Sequence, residues 1–262
     1  LSREKINLNI CVSALVVHGR EVKLHSPKCE VFIDVMQCES LTDVIQEEEP
    51  IKGFIEIEVR DSKGKVIKKG KHEMRSFLNN LLKVLEGFMR AYDATTTSTT
   101  VIAPDGTSKT VYVEWRAGTN YYGGGTPMAT QAGDNDASYG IIVGSGTTPV
   151  DLGQYSLATP IPHGTGAGQL DYDATAVNDL GLDTSVSPPI YRFRIVRTFK
   201  NLSGGNININ EVGLVARSYW KDGGGVRQDI KYLIARDVLT TTYTVPDEGS
   251  ATVAITVEVV LG

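Results

Sequence analysis

The final alternating run of the chain limits the possible folds more than any other stretch. Val253, Ile255, Val257, Val259 and Leu261 share one face, with Thr252, Ala254, Thr256, Glu258 and Val260 on the other. That is the period-2 signature of a strand with one buried side. Tyr191, Phe193, Ile195 and Phe199 repeat it, with Arg192, Arg194, Thr198 and Lys200 between them, and Arg197 is the exception that falls on the apolar side. A turn follows at residues 201–206, where two glycines and two asparagines tolerate positive φ. Ile207 and Ile209 resume the pattern until the phase changes near Glu211, after which Val212 and Leu214 point inward; a bulge at Gly213 would produce that slip. Paired strands joined by such turns predict a mainly β protein, an antiparallel β-sandwich or jelly-roll.

One helix interrupts the pattern. Phe77, Leu78, Leu81, Leu82, Leu85, Phe88 and Met89 recur at helical spacing over residues 76–92, with Ser76 placed to cap the first turn. Such an apolar stripe is expected to pack against a sheet, with a partner-binding groove as the alternative. Upstream, strands are expected at 10–17, 31–36 and 54–60, with a hairpin turn at Asp61-Ser62-Lys63-Gly64. The acidic loop Gln46-Glu47-Glu48-Glu49-Pro50 separates an N-terminal strand module or arm, 1–50, from a sandwich domain, 51–262. Residues 94–190 are rich in glycine and threonine and read as long loops, with a turn at Pro104-Asp105-Gly106-Thr107 and a short strand over 110–115.

Charge narrows the partners. The chain has 26 Lys+Arg against 31 Asp+Glu, and residues 91–190 hold 2 of the former and 10 of the latter. A charge-poor, acidic middle third does not suit a phosphate backbone, so nucleic acid is not an expected partner. No apolar run approaches the roughly 20 residues of a membrane span. The first ten residues have no continuous apolar core, so they are not expected to act as a signal peptide. Cys11, Cys29 and Cys38 show no CxxC spacing and read as buried thiols, or as one disulfide and a thiol. With His18 and His25 they match no zinc pattern.

Little here points to chemistry. Gly140-Ile141-Ile142-Val143-Gly144-Ser145-Gly146 reads as a buried short strand running into a glycine-rich loop, and resembles a phosphate cradle only superficially, because no Lys-Ser/Thr pair and no helix follow. Its glycines are expected to let the chain turn at a sheet edge. Ser145 lacks the nucleophile-elbow pattern, and His18, His25, His72 and His163 are scattered. The spaced carboxylates Asp134/Asp136 and Asp171/Asp173 would suit calcium if main-chain carbonyls completed the shell, and otherwise belong to solvated turns. No other cofactor is expected. Trp115, Tyr121 and Tyr122 could stack on a sugar, or serve as core or subunit contacts.

Several segments also resemble, in the same order, structural proteins of tailed viruses and prophages. They are residues 140–149 and 155–161, Arg197-Thr198-Phe199-Lys200-Asn201, Asn210-Glu211-Val212-Gly213-Leu214, Leu233-Ile234-Ala235-Arg236-Asp237-Val238 and Thr244-Val245-Pro246. Arg60-Asp61-Ser62-Lys63-Gly64 and Arg75-Ser76-Phe77 extend the likeness, which covers residues 54–262. It implies a non-enzymatic virion part, capsid-decorating, tail or appendage, located in a virion or extracellular particle and joined to copies of itself and to other particle proteins. Trp115, Tyr121, Tyr122, Val253, Ile255 and Val257 are the expected interface residues. The alternatives are a cellular extracellular filament joined by exchange of a terminal strand, and a carbohydrate-binding module.

Overall fold

The computed structural model describes residues 16–17, 20–21, 51–74, 76–90, 98–112, 128–221 and 227–261. Two compact units divide the chain, Leu1–Glu48 and Glu49–Gly262. In the first, β1 (Val16–Val17) pairs antiparallel with β2 (Arg20–Glu21). The three cysteines, His18 and His25 lie outside the described residues.

The second unit is mainly β. Among the described residues its strands are, in chain order, β3 (Ile51–Arg60), β4 (Val66–Met74), β5 (Ser98–Ile102), β6 (Ser108–Tyr112), β7 (Gly140–Gly144), β8 (Asp171–Tyr172), β9 (Ala176–Asp183), β10 (Ile190–Lys200), β11 (Ile207–Lys221), β12 (Arg227–Val245) and β13 (Ser250–Val260), with one helix, α1 (Asn79–Arg90). The larger sheet runs β4-β3-β13-β10, and the far side of β10 is shared by β9 and β8. The smaller runs β12-β11-β7, and β5 pairs with β6 as a separate hairpin. All these ladders are antiparallel. No described helix is long and apolar enough to cross a membrane.

Alternation builds the core. Ile55, Ile57 and Val59 of β3, Val253, Ile255 and Val257 of β13, and Ile195 and Phe199 of β10 join Ile141, Val143, Val212, Leu214 and Ile234 of the smaller sheet in one apolar cluster. Burying each such side chain contributes about 1.5–3 kcal/mol. Val253, Ile255 and Val257 are 0%, 1% and 8% exposed, so they are core residues and not the interface expected of them. Their strand lies inside the sheet, with β13 hydrogen-bonded to β10 on one side and β3 on the other. Alternation reveals a buried face but not whether the strand stands at the centre or the edge of its sheet.

The phase slip in β11 sits near Glu211 as expected, but no bulge lies at Gly213. The register with β12 shifts between Ile209 and Glu211, and again between Leu214 and Val215. Gly213 stays in the ladder, opposite Arg236 and Ile142. It is glycine for space: a Cβ there would lie 2.8 Å from Leu157 Cδ2 and 3.0 Å from Leu233 Cδ1.

The helix starts later than its apolar stripe. Ser76 does not cap it; residues 76–78 border β12, with Arg236 N donating to Ser76 O at 3.2 Å and Leu78 N to Ile234 O at 2.9 Å. Asn80 turns inward, donating to Ile102 O at 2.9 Å and Leu233 O at 3.2 Å while accepting from Ile102 N at 2.9 Å. Its amide thereby ties β5 to β12, and the rotation this requires buries Val84 and leaves Leu82, Leu85 and Met89 exposed. The stretch 94–190, expected as long loops around short strands at 110–115 and 140–143, contributes five strands among the described residues, with β6 and β7 at those two places, and the threonine run ends in β5. The turns at Gly64 and Gly106 form where expected, both at positive φ.

Candidate functional site

Arg197, the charged residue on the apolar face of β10, is fully buried. Its guanidinium donates to five main-chain carbonyls: Nε to Asp173 O at 2.7 Å, Nη1 to Tyr139 O and Ile141 O at 3.0 Å each, and Nη2 to Asp136 O at 2.7 Å and Gly133 O at 3.3 Å. It also lies 4.8 Å from the Tyr172 ring centre. All the donor capacity of the fork is satisfied. Burial lowers its pKa from the ordinary arginine value, an effect that Tyr172 and Asp136 oppose.

This cage answers the calcium question. The carbonyls that would have completed a shell around the aspartates face a resident guanidinium instead. The carboxylates are engaged as well: Asp134 Oδ1 accepts from Ala174 N at 2.6 Å, Asp136 Oδ1 from Ser138 N at 2.9 Å, and Asp173 Oδ1 from Lys200 Nζ at 2.6 Å. Asp171 lies 3.6 Å from His163 Nδ1. The structure brings the two loops together, but their donor set fits a cation already supplied by the chain. Among the described residues no group of three or more His, Cys, Asp or Glu could hold a metal.

The glycine loop cradles an anion, and that anion too is internal. Glu211 Oε1 accepts from Gly146 N at 3.1 Å and Thr159 N at 2.8 Å, and Oε2 from Ala158 N at 3.1 Å. A Cβ on Gly146 would lie 2.5 Å from Oε1, so glycine is needed for this approach rather than only for a turn. Arg236 completes the site, with Nη2 2.7 Å and Nε 2.8 Å from Glu211 Oε2, both side chains at 0% exposure. Its remaining donors reach Gln154 Oε1 at 2.7 Å and Thr148 O at 2.9 Å. Residues from four segments, 140–149, 155–161, 210–214 and 233–238, converge on this one buried pair.

The same burial acts on two tyrosines. Loss of solvent pushes Tyr172 and Tyr232 each up to about 12, against about 10 in an unfolded chain. Between those values the unfolded chain has released protons that the folded chain keeps, so their contribution to stability is complete below about pH 10 and is lost as pH rises through about 12. Melting followed together with tyrosinate absorbance is expected to show Tm falling once the pH passes about 10. Both tyrosines ionising with no fall in Tm would contradict this.

Trp115, Tyr121 and Tyr122 lie outside the described residues. An open cleft of about 650 Å³ is lined by the apolar Ile142, Leu157, Val215 and Leu233 and by the charged Asp105, Lys109, Asp229 and Lys231, with no histidine or cysteine in its lining. Comparison with protein-family models, curated proteins and solved structures returns no match.

The sheet edges are treated unequally. Along β7 runs residue 161, whose N donates to Val143 O at 3.0 Å, while Ser145 N donates to Thr159 O at 2.9 Å. Residues 76–78 border β12 in the same way. β4 carries Lys68, Lys69 and Lys71, and Lys68 Nζ donates to Thr241 Oγ1 at 3.0 Å. Lysines on an edge strand discourage unplanned pairing. β9 is the exception: it has β10 on one side and, among the described residues, no strand on the other. Its sequence contains no lysine or arginine, and Val177, Leu180 and Leu182 are 39%, 53% and 56% exposed. Leu182 stands in register with Tyr191, itself 37% exposed.

Proposed function

We propose that this chain is a non-enzymatic structural subunit of a virion, a capsid-decorating, tail or appendage part, that works by binding copies of itself and neighbouring particle proteins. The observation that carries the reading is the β9 edge, an eight-residue strand with exposed leucines, no lysine or arginine and, among the described residues, no strand on its outer side. An edge of that kind is a template for another strand. The resemblance over residues 54–262 supports the viral setting. The two buried charge sites fit a part whose task is to hold shape, since both organise loops around the sandwich. Light scattering and electron microscopy of the purified chain test the proposal. Wild type is expected to form oligomers or particles and L180K/L182K to remain monomeric, with a stability change within about 0.5 kcal/mol because both side chains are surface groups. A wild-type chain that stays monomeric at high concentration would sink the reading.

A further inference from the structure

The two outer strands of the larger sheet carry opposite charges. β4 carries Lys68, Lys69 and Lys71 against Glu73, with Lys65 just before it. β9, at the other side of the same sheet, carries Asp179 and Asp183 and no basic residue. Asp183 is shared with Arg192 at 2.8 Å, while Lys69 makes only a 3.5 Å contact with Glu58 and is 66% exposed. Pairing β9 with β9, or β4 with β4, sets like charges across the new ladder, whereas β9 against β4 sets opposite charges there. The two strands also match in length, eight residues against nine.

We infer that β9 of one copy adds to β4 of the next copy, so that the six-stranded sheets join head to tail. This rests on the proposed assembly role and specifies its geometry: the contact is heterologous, and repetition gives a ring or a filament rather than a closed two-fold dimer. The lysines of β4 act as a filter, refusing a second basic edge and accepting an acidic one.

Charge exchange tests it. The variant D179K/L180K makes β9 basic, and K69E/K71E makes β4 acidic. Each alone is expected to lose assembly by about tenfold or more, and an equimolar mixture of the two is expected to recover it, because each altered edge then meets its opposite. Since K69E/K71E places glutamates opposite Glu58 and Glu56, its cooperative melting is checked, and K69Q/K71Q serves as a second variant expected to weaken assembly without that repulsion. Wild-type assembly with K69Q/K71Q assembling equally well, or a folded mixture that fails to recover, would overturn the head-to-tail contact while leaving the assembly role standing. A monomeric wild type would remove the assembly role itself.

Discussion

Replacing Arg197 by alanine is expected to destabilise the sandwich by at least about 4 kcal/mol, a large share of the roughly 5–15 kcal/mol that holds a domain of ordinary stability. The loss has two sources. Five carbonyls, at Gly133, Asp136, Tyr139, Ile141 and Asp173, lose their donor in a buried setting, and a large side chain at 0% exposure leaves a cavity. Lysine does not restore the site, because a single ammonium with three donors cannot reproduce a planar fork with five. Denaturant unfolding of R197A and R197K checks this. If R197A melts within about 1 kcal/mol of wild type, the cage is not what holds residues 133–141 to β10.

Glu211 and Arg236 carry the second large effect. Removing either charge alone leaves the other buried and uncompensated, at a cost of about 3–5 kcal/mol. The informative variant is E211Q, which keeps an oxygen for the Gly146 and Thr159 amides but loses the charge opposite Arg236. Combined with R236M it is expected to cost less than the sum of the two single changes by at least about 1 kcal/mol, the coupling of residues in direct contact. Full recovery is not expected, because Thr148 O and Gln154 lose their guanidinium partner. Simple additivity in the double-mutant cycle would mean that the pair acts as two independent side chains.

Much of the framework could be read from local pattern. β3, β10 and β13 bury alternate residues, so period 2 identified them, and the turns at Gly64 and Gly106 need positive φ that glycine supplies. The long-range charge sites were less accessible. Glu211 and Arg236 are 25 residues apart, and the carbonyls that hold Arg197 come from main chain 24 to 64 residues away. The only local sign was an arginine on an apolar face and a glutamate among apolar neighbours. β9 was hidden for a different reason. Gly181, at φ 76°, and the extra residue Leu180 form a bulge opposite Arg192 and Phe193, which breaks the alternation midway along the strand. The helix start at Asn79 depended on pairing of residues 76–78 with β12, a partner that no helical periodicity could announce.

Hydrogen exchange of the β9 amides, residues 176–183, followed across the concentration range of assembly, examines the open edge itself. A strand that gains a neighbour should exchange about tenfold more slowly or better once copies associate, while β13, already paired on both sides, keeps the protection it had. Association with no change in β9 exchange would contradict the account.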